Sequence, residues 1–494
     1  MNAVGYTKLI NAYDLRVIPN WHESVIVNGP GSRTETDDGH VRESFPSVYD
    51  PGDELGGQLE FTLKYDGTNL LILSSLFAVV PREVITQYVT GTPTGKYARR
   101  IWYLYELLTG TRLPIADLSQ GNYVDLLDPQ DYFVAHGTLV QRQRIGDNLL
   151  GDRNFCPMIR RTERLWKFEQ SDLAQRCRQI IGNYPAELLR RAMAYLYTKE
   201  SKSSFEIEHI TPSANRVERF VALLQVAETE DFFHKSALID VQNRIMDQRF
   251  HDHDYRSTQN YVGETISPIR QRVHFVSPKP GDLASLMDGM FVAHQRIGAN
   301  DVHPVIHAAV IGYGFVFMHP FEDGNGRIHR FLIHNVLARR EFTPRGIIFP
   351  ASAVMLKRRN EYDASLEAFS KPLMSLVDYS LDEQGRMTVH NDTAHYYRYI
   401  DLTAQAEALF DFIRDTIEVE LVDELHFLMN YDSTKHAIQE IVDIPDRLIN
   451  LFIRCCLQNH GRLSSRKREE FFSMLSDQEV EMIERGLQQV YKLI

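Results

Sequence analysis

The chain has 494 residues, of which 43% are hydrophobic and 24% charged, with a formal net charge of -12. That length exceeds one ordinary core and predicts about three domains, while the acidic balance argues against a general nucleic-acid binder, which needs a basic face to displace counterions. Cys156, Cys177, Cys455 and Cys456 show no metal-ligand spacing and indicate no disulfide framework. No stretch approaches the ~18 apolar residues of a membrane span, and residues 1–14 lack a signal-peptide pattern, so a cytoplasmic protein without a membrane partner is expected.

Residues 1–60 carry turn formers and charge, as in Asn28-Gly29-Pro30-Gly31, and predict an irregular arm followed by the turn Tyr49-Asp50-Pro51-Gly52. From Leu71 the pattern is helical, most clearly over residues 100–108 with Gly110 as the stop, so residues 1–185 are read as an N-terminal helical region. The stretch Gly91-Thr92-Pro93-Thr94-Gly95-Lys96 fails as a phosphate-binding loop. Its spacing is one residue short, and Tyr97 stands where Ser or Thr would hold Mg²⁺. A helical run from Ala186 stops before Pro212 and places Ser204 and Glu208 four apart on one face. His251-Asp252-His253-Asp254 reads as a solvated loop, because consecutive residues rarely converge on one ion. Residues 259–263 and 272–280 read as extended segments around a turn near Ile266 to Ile269, and Asp282 opens a further helix.

The densest chemistry follows. Residues 302–318 form an apolar helix, and Ile328, Leu332, Ile333, Val336 and Leu337 mark a second one. Between them lies His319-Pro320-Phe321-Glu322-Asp323-Gly324-Asn325-Gly326-Arg327-Ile328-His329-Arg330. Gly324 and Gly326 around Asn325 let successive amides point at one anion, at the positive end of the helix they open. Arg327 and Arg330 share a face and can fork onto phosphate oxygens. Asp323 offers a hard oxygen to Mg²⁺, and His319, ending the first helix, sits where a base takes a proton from an attacking hydroxyl. Beyond Asp382-Glu383-Gln384-Gly385, residues 386–494 are again helical, with a capping box at Ser476 and Glu479.

The twelve-residue string resembles the Fic family signature, H-x-F-x-[D/E]-G-N-G-R-x-x-R, at all eight fixed positions, a match expected by chance in roughly one window in ten billion. The resemblance implies an all-α fold, with a Fic-type helical core at residues 186–385, a small β-hairpin flap, and flanking regions at 1–185 and 386–494. It implies transfer of AMP from ATP to a Tyr, Thr or Ser hydroxyl of a target protein, with His319 as general base, Asp323 as Mg²⁺ ligand, and Gly324, Asn325 and Gly326 as the anion hole. Arg327 and Arg330 would hold phosphate, and the flap would hold the target by its strand edge.

Ser204 and Glu208 also resemble the family's inhibitory pattern, [S/T]-x-x-x-E-[G/N], within a helix near 198–210, although His209 stands where Gly or Asn is expected. A carboxylate paired with an arginine removes that arginine from phosphate binding, so Glu208 is expected to pair with Arg330 and block the γ-phosphate. Self-modification and self-association stay open at this point. So do use of another nucleotide, removal of AMP from a modified protein, and a nucleotide-sensing interaction protein without transfer.

Overall fold

The computed structural model describes residues 2–35, 39–267 and 270–493. The architecture is all-α with small sheets, and its centre is a pair of helices that run through the core. The incoming helix (Pro304–Met318) is buried on nearly every face, and the motif helix (Asn325–Arg339) buries Arg327, Ile328, His329, Arg330, Phe331 and Leu332 in its first turns. A helix with no polar face is stable only inside a core. A third helix (Pro280–Gly298) packs against the incoming helix, and the upstream helix (Ala186–Glu206) packs against the motif helix.

The first 60 residues are not the expected irregular arm. Strands Asn2–Val4, His22–Val27, Ser32–Glu35 and Val41–Pro46 form a four-stranded sheet. His22–Val27 pairs in parallel with Val41–Pro46, whose other edge takes Ser32–Glu35 antiparallel. Strands that pair in parallel are separated along the chain by their connection. Here that connection is the turn-rich stretch that dominated the sequence pattern. Residues 110–162 also depart from the helical expectation, with a three-stranded sheet of short strands at Val124–Asp125, Thr138–Val140 and Ile145–Asp147. The helix Lys96–Thr109 ends as expected, at Gly110 in the left-handed conformation.

One hydrophobic core runs without a break from Tyr6 to Leu425, across residues 185 and 385, and a second spans Ile438 to Leu487. The helix Leu421–Ile441 contributes Leu421 and Leu425 to the first core and Ile438 to the second, so it joins the C-terminal lobe to the body. The final helix, Asp477–Val490, starts with the expected capping box between Ser476 and Glu479. No single helix among the described residues is long and apolar enough to cross a membrane.

An imidazole pair, His307 buried and His294 half-buried, ties the central helices together. Arg340 Nη1 donates to His307 Nδ1 (3.3 Å), which leaves the His307 Nε2 hydrogen to donate to His294 Nδ1 (3.0 Å). Burial pushes His294 down to about 4 and His307 well below its ordinary value of 6.5. Both rings are therefore neutral when folded and take up protons more readily when unfolded. Their contribution is complete above the unfolded value near 6.5 and is lost as pH falls towards 4. The melting temperature is expected to decline over that interval, and His307→Gln, which keeps a donor and an acceptor but does not titrate, is expected to lessen the decline. Thermal melts at half-unit pH steps check this.

Candidate active site

The incoming helix ends at His319, whose backbone is left-handed (φ 49°, ψ 58°). That conformation is uncommon for a residue with a Cβ and turns the chain sharply out of the helix. The ring is half-buried, and its Nδ1 hydrogen donates to the Val316 carbonyl (3.1 Å). This fixes the tautomer, so Nε2 carries the lone pair. Burial pushes the imidazole down to about 4, with nearby Asp323 and Glu208 pulling the other way. At neutral pH the ring is an unprotonated acceptor.

The loop that follows is held by its own side chains. Asn325 Oδ1 accepts from the Phe321 amide (3.0 Å) while its Nδ2 donates to the Phe321 carbonyl (2.8 Å), closing the loop on itself. Phe321 is fully buried and anchors it. Gly324 (φ +90°) begins the motif helix with no side-chain cap. The first-turn amides thus face outward, as an anion site requires. Asn325, expected as part of the anion hole, uses its side chain to brace the loop and leaves only its amide for an anion.

Glu208 already sits over this site. Its Oε2 accepts from Arg327 Nε (2.8 Å) and its Oε1 from Arg330 Nη2 (2.7 Å), so one carboxylate bridges both arginines, not Arg330 alone as expected. A Cβ on Gly326 would stand 2.6 Å from Glu208 Oε1, which places the carboxylate directly over the first turn of the motif helix. Arg327 and Arg330 have side chains 0% and 2% exposed. Burial opposes the charge of Arg330, but neighbouring Tyr362 and Glu208 outweigh it and hold the guanidinium above its ordinary value. Ser204 adds two contacts, accepting from Arg330 Nε at its hydroxyl (2.9 Å) and from Nη2 at its carbonyl (2.6 Å).

Ser204 lies in the upstream helix, which ends at Glu206, so Glu208 belongs to the turn beyond it and not to a shared helical face. His209 then takes φ +58°. This is the left-handed conformation that Gly or Asn adopts at least cost, which gives a physical reason for those residues in the pattern. Arg359 Nη1 donates to the Ile207 carbonyl (2.5 Å) and pins the turn. One layer further along, buried Glu200 bonds His334 Nε2 on the motif helix (2.7 Å) and the Ser352 amide (2.8 Å). The upstream helix is thereby fixed to the motif helix at two levels.

Asp323 is 63% exposed at its side chain, and its Oδ1 accepts from the Gly324 amide (2.5 Å) and Arg327 Nη2 (3.2 Å). Among the described residues no group of three His, Cys, Asp or Glu could form a metal cage, the 251–254 run included. A single exposed carboxylate fits Mg²⁺ of the kind that fills its shell with phosphate oxygens and water.

The two extended segments are a hairpin, Tyr261–Ser267 with Arg270–Val276, and the turn at residues 268 and 269 lies outside the described residues. Among the described residues no third strand pairs with it, and Val262 and Ile266 are exposed. Its stem is bonded to the motif loop, Thr258 Oγ1 to Glu322 Oε1 (2.6 Å) and Asn260 Nδ2 to the Phe321 carbonyl (3.2 Å). Arg256, which the sequence pattern did not single out, donates through Nε to the His319 carbonyl (2.8 Å). Two of its three side-chain bonds run to backbone distant in sequence, at His319 and Pro278, and no motif spacing reveals such partners.

The Fic/DOC family profile matches residues 232–337. "Protein adenylyltransferase Fic" of Drosophila grimshawi is 39% identical over 134 residues, 26% of this chain and 25% of the relative. The protein of the same name from Culex quinquefasciatus is 34% identical over 119 residues, 23% of this chain and 21% of the relative. The match thus spans about a quarter of the length of these curated relatives. A solved Fic family protein from Desulfovibrio desulfuricans G20 is 20% identical, with 67% of this chain and 85% of that one covered, at a TM-score of 0.37. Residues 232–337 of this chain thus form a region that matches the Fic/DOC family.

Proposed function

We propose that this protein transfers AMP from ATP to a hydroxyl group of a target protein and that Glu208 holds the unmodified enzyme in an inhibited state. The observation that carries the reading is the Glu208 carboxylate bridging Arg327 and Arg330 over an uncapped helix N-terminus whose N-cap, Gly324, lies five residues on from the His319 imidazole with its free Nε2. An anion already fills the place where the amides and arginines would receive phosphate. Relatives named protein adenylyltransferase support the same chemistry.

In the proposed reaction the first-turn amides and the two arginines hold the triphosphate, and His319 Nε2 accepts the proton of the target hydroxyl as its oxygen attacks the α-phosphorus. The new bond joins that oxygen to phosphorus, the bond from the α-phosphorus to the α,β-bridging oxygen breaks, and pyrophosphate leaves. Arg327 and Arg330 offset the charge that builds on it. Mg²⁺ bound through Asp323 would supply further neutralisation of the phosphates. The unpaired hairpin edge supports a target held by main-chain pairing, which reads little of the target's sequence.

The test is label retention by Glu208→Gly protein incubated with lysate, Mg²⁺ and ATP labelled at the α- or the γ-phosphate. AMP transfer leaves the α-label and not the γ-label on protein. Retention of the γ-label, or tight binding with no label retained, would replace this reading with phosphoryl transfer or nucleotide sensing. Repeating the α-label arm with GTP, CTP and UTP decides the base.

A further inference from the structure

We infer that Arg256 is a positioning residue that holds the base and the hairpin in one register, an inference that rests on the transfer reaction proposed above. Its residue is 4% exposed, and its guanidinium bonds end on three main-chain carbonyls: His319 from Nε (2.8 Å), Thr258 from Nη1 (2.7 Å) and Pro278 from Nη2 (2.6 Å). Its own amide donates to the Pro320 carbonyl (2.8 Å). Thr258 and Pro278 are the two stems of the hairpin, and His319 and Pro320 are the turn out of the incoming helix. One residue therefore spans the base and both strands of the element that would present the target.

A neutral side chain does not reproduce this contact set. Only the planar guanidinium presents donors on three nitrogens in a fixed fork. Burial pushes the group down to about 10, so it keeps its charge at neutral pH while no carboxylate bonds it among the described residues. Retaining a buried charge against carbonyls alone is costly. The direction of the His319 carbonyl is set by the same ψ that makes the residue left-handed, a conformation disfavoured in a residue with a Cβ. Arg256 holds that carbonyl. Transfer needs the hydroxyl and the imidazole aligned, and a misplacement of about 1 Å costs about a hundredfold in rate.

The experiment compares Arg256→Met, which keeps bulk and loses the donors, with Arg256→Lys, which keeps charge and one reach, both in full-length Glu208→Gly protein. Self-labelling with α-labelled ATP gives kcat and KM, a fluorescent ATP analogue gives nucleotide affinity, and hydrogen–deuterium exchange follows residues 261–276 and 319–327. The Met variant is expected to lose about a hundredfold in kcat with nucleotide affinity within about twofold, the Lys variant to fall between, and both segments to exchange faster together in Met and recover together in Lys. Parent-like kcat in the Met variant overturns the proposal, and so does faster exchange in the hairpin while residues 319–327 stay protected. If Glu208→Gly protein itself transfers nothing, the transfer reading fails and exchange alone decides the clamp, joint loosening supporting it and separate loosening overturning it. Should Arg256→Met lose its circular dichroism signature, Arg256→Lys against Glu208→Gly protein carries the same comparison.

Discussion

Replacing Glu208 with Gly is expected to raise AMP transfer about 5- to 150-fold, the range that a coupling of 1–3 kcal/mol spans. The same substitution is expected to lower the stability of the nucleotide-free protein. Glu208 bridges two guanidiniums that are almost wholly buried, and removing it leaves Arg330 without its carboxylate and Arg327 with Asp323 alone, at a cost on the order of 3 kcal/mol. Ser204 softens the loss at Arg330 by two hydrogen bonds but carries no charge. ATP then restores what the carboxylate supplied. The variant should therefore show a lower melting temperature than wild type without nucleotide and a larger upward shift with saturating ATP and Mg²⁺. Thermal melts of both proteins with and without ATP, beside the transfer assay, check the pair of outcomes. Activation with no change in melting behaviour would mean that the carboxylate does not stand in for phosphate.

His319→Ala in the Glu208→Gly background is expected to lower transfer by about a hundred- to ten-thousandfold, the usual weight of a general base, and to leave ATP affinity within about threefold. The separation follows from the division of labour in the loop. In the proposed reaction the motif-helix amides and the arginines hold phosphate, while the His319 ring, whose Nδ1 bonds Val316, keeps Nε2 for the proton. Rapid-quench transfer and equilibrium binding of a labelled ATP analogue measure the two quantities. Parallel loss of both would place His319 in nucleotide binding and remove it as the base.

The part of the site that sequence reveals is the part that is local in sequence. His319 to Arg330 joins two helices, and apolar periodicity on each side is enough to place that turn from sequence alone. Ser204 and Glu208 are legible as a pair, but the second arginine that Glu208 engages is not. The upstream helix ends at Glu206, two residues before Glu208, and this re-aims the carboxylate across the motif helix. Arg256 is invisible for a different reason, since its partners are main-chain carbonyls that any residue supplies. The N-terminal sheet was hidden in the same way. The parallel pairing of His22–Val27 with Val41–Pro46 leaves no hairpin signal between them, and the polar strand Ser32–Glu35 reads as loop because its residues are exposed.

The central claim, that the loop opening the motif helix wraps a triphosphate with its innermost phosphorus facing His319, is tested most directly by a crystal structure. The protein would be the Glu208→Gly variant with Mg²⁺ and an α,β-methylene ATP analogue. The account predicts the terminal phosphate against Arg330 where the Glu208 carboxylate now sits, Mg²⁺ on Asp323, and an open approach to the α-phosphorus from the side of His319 Nε2. A nucleotide bound with its base over the motif helix and its α-phosphorus turned away from that nitrogen would contradict it.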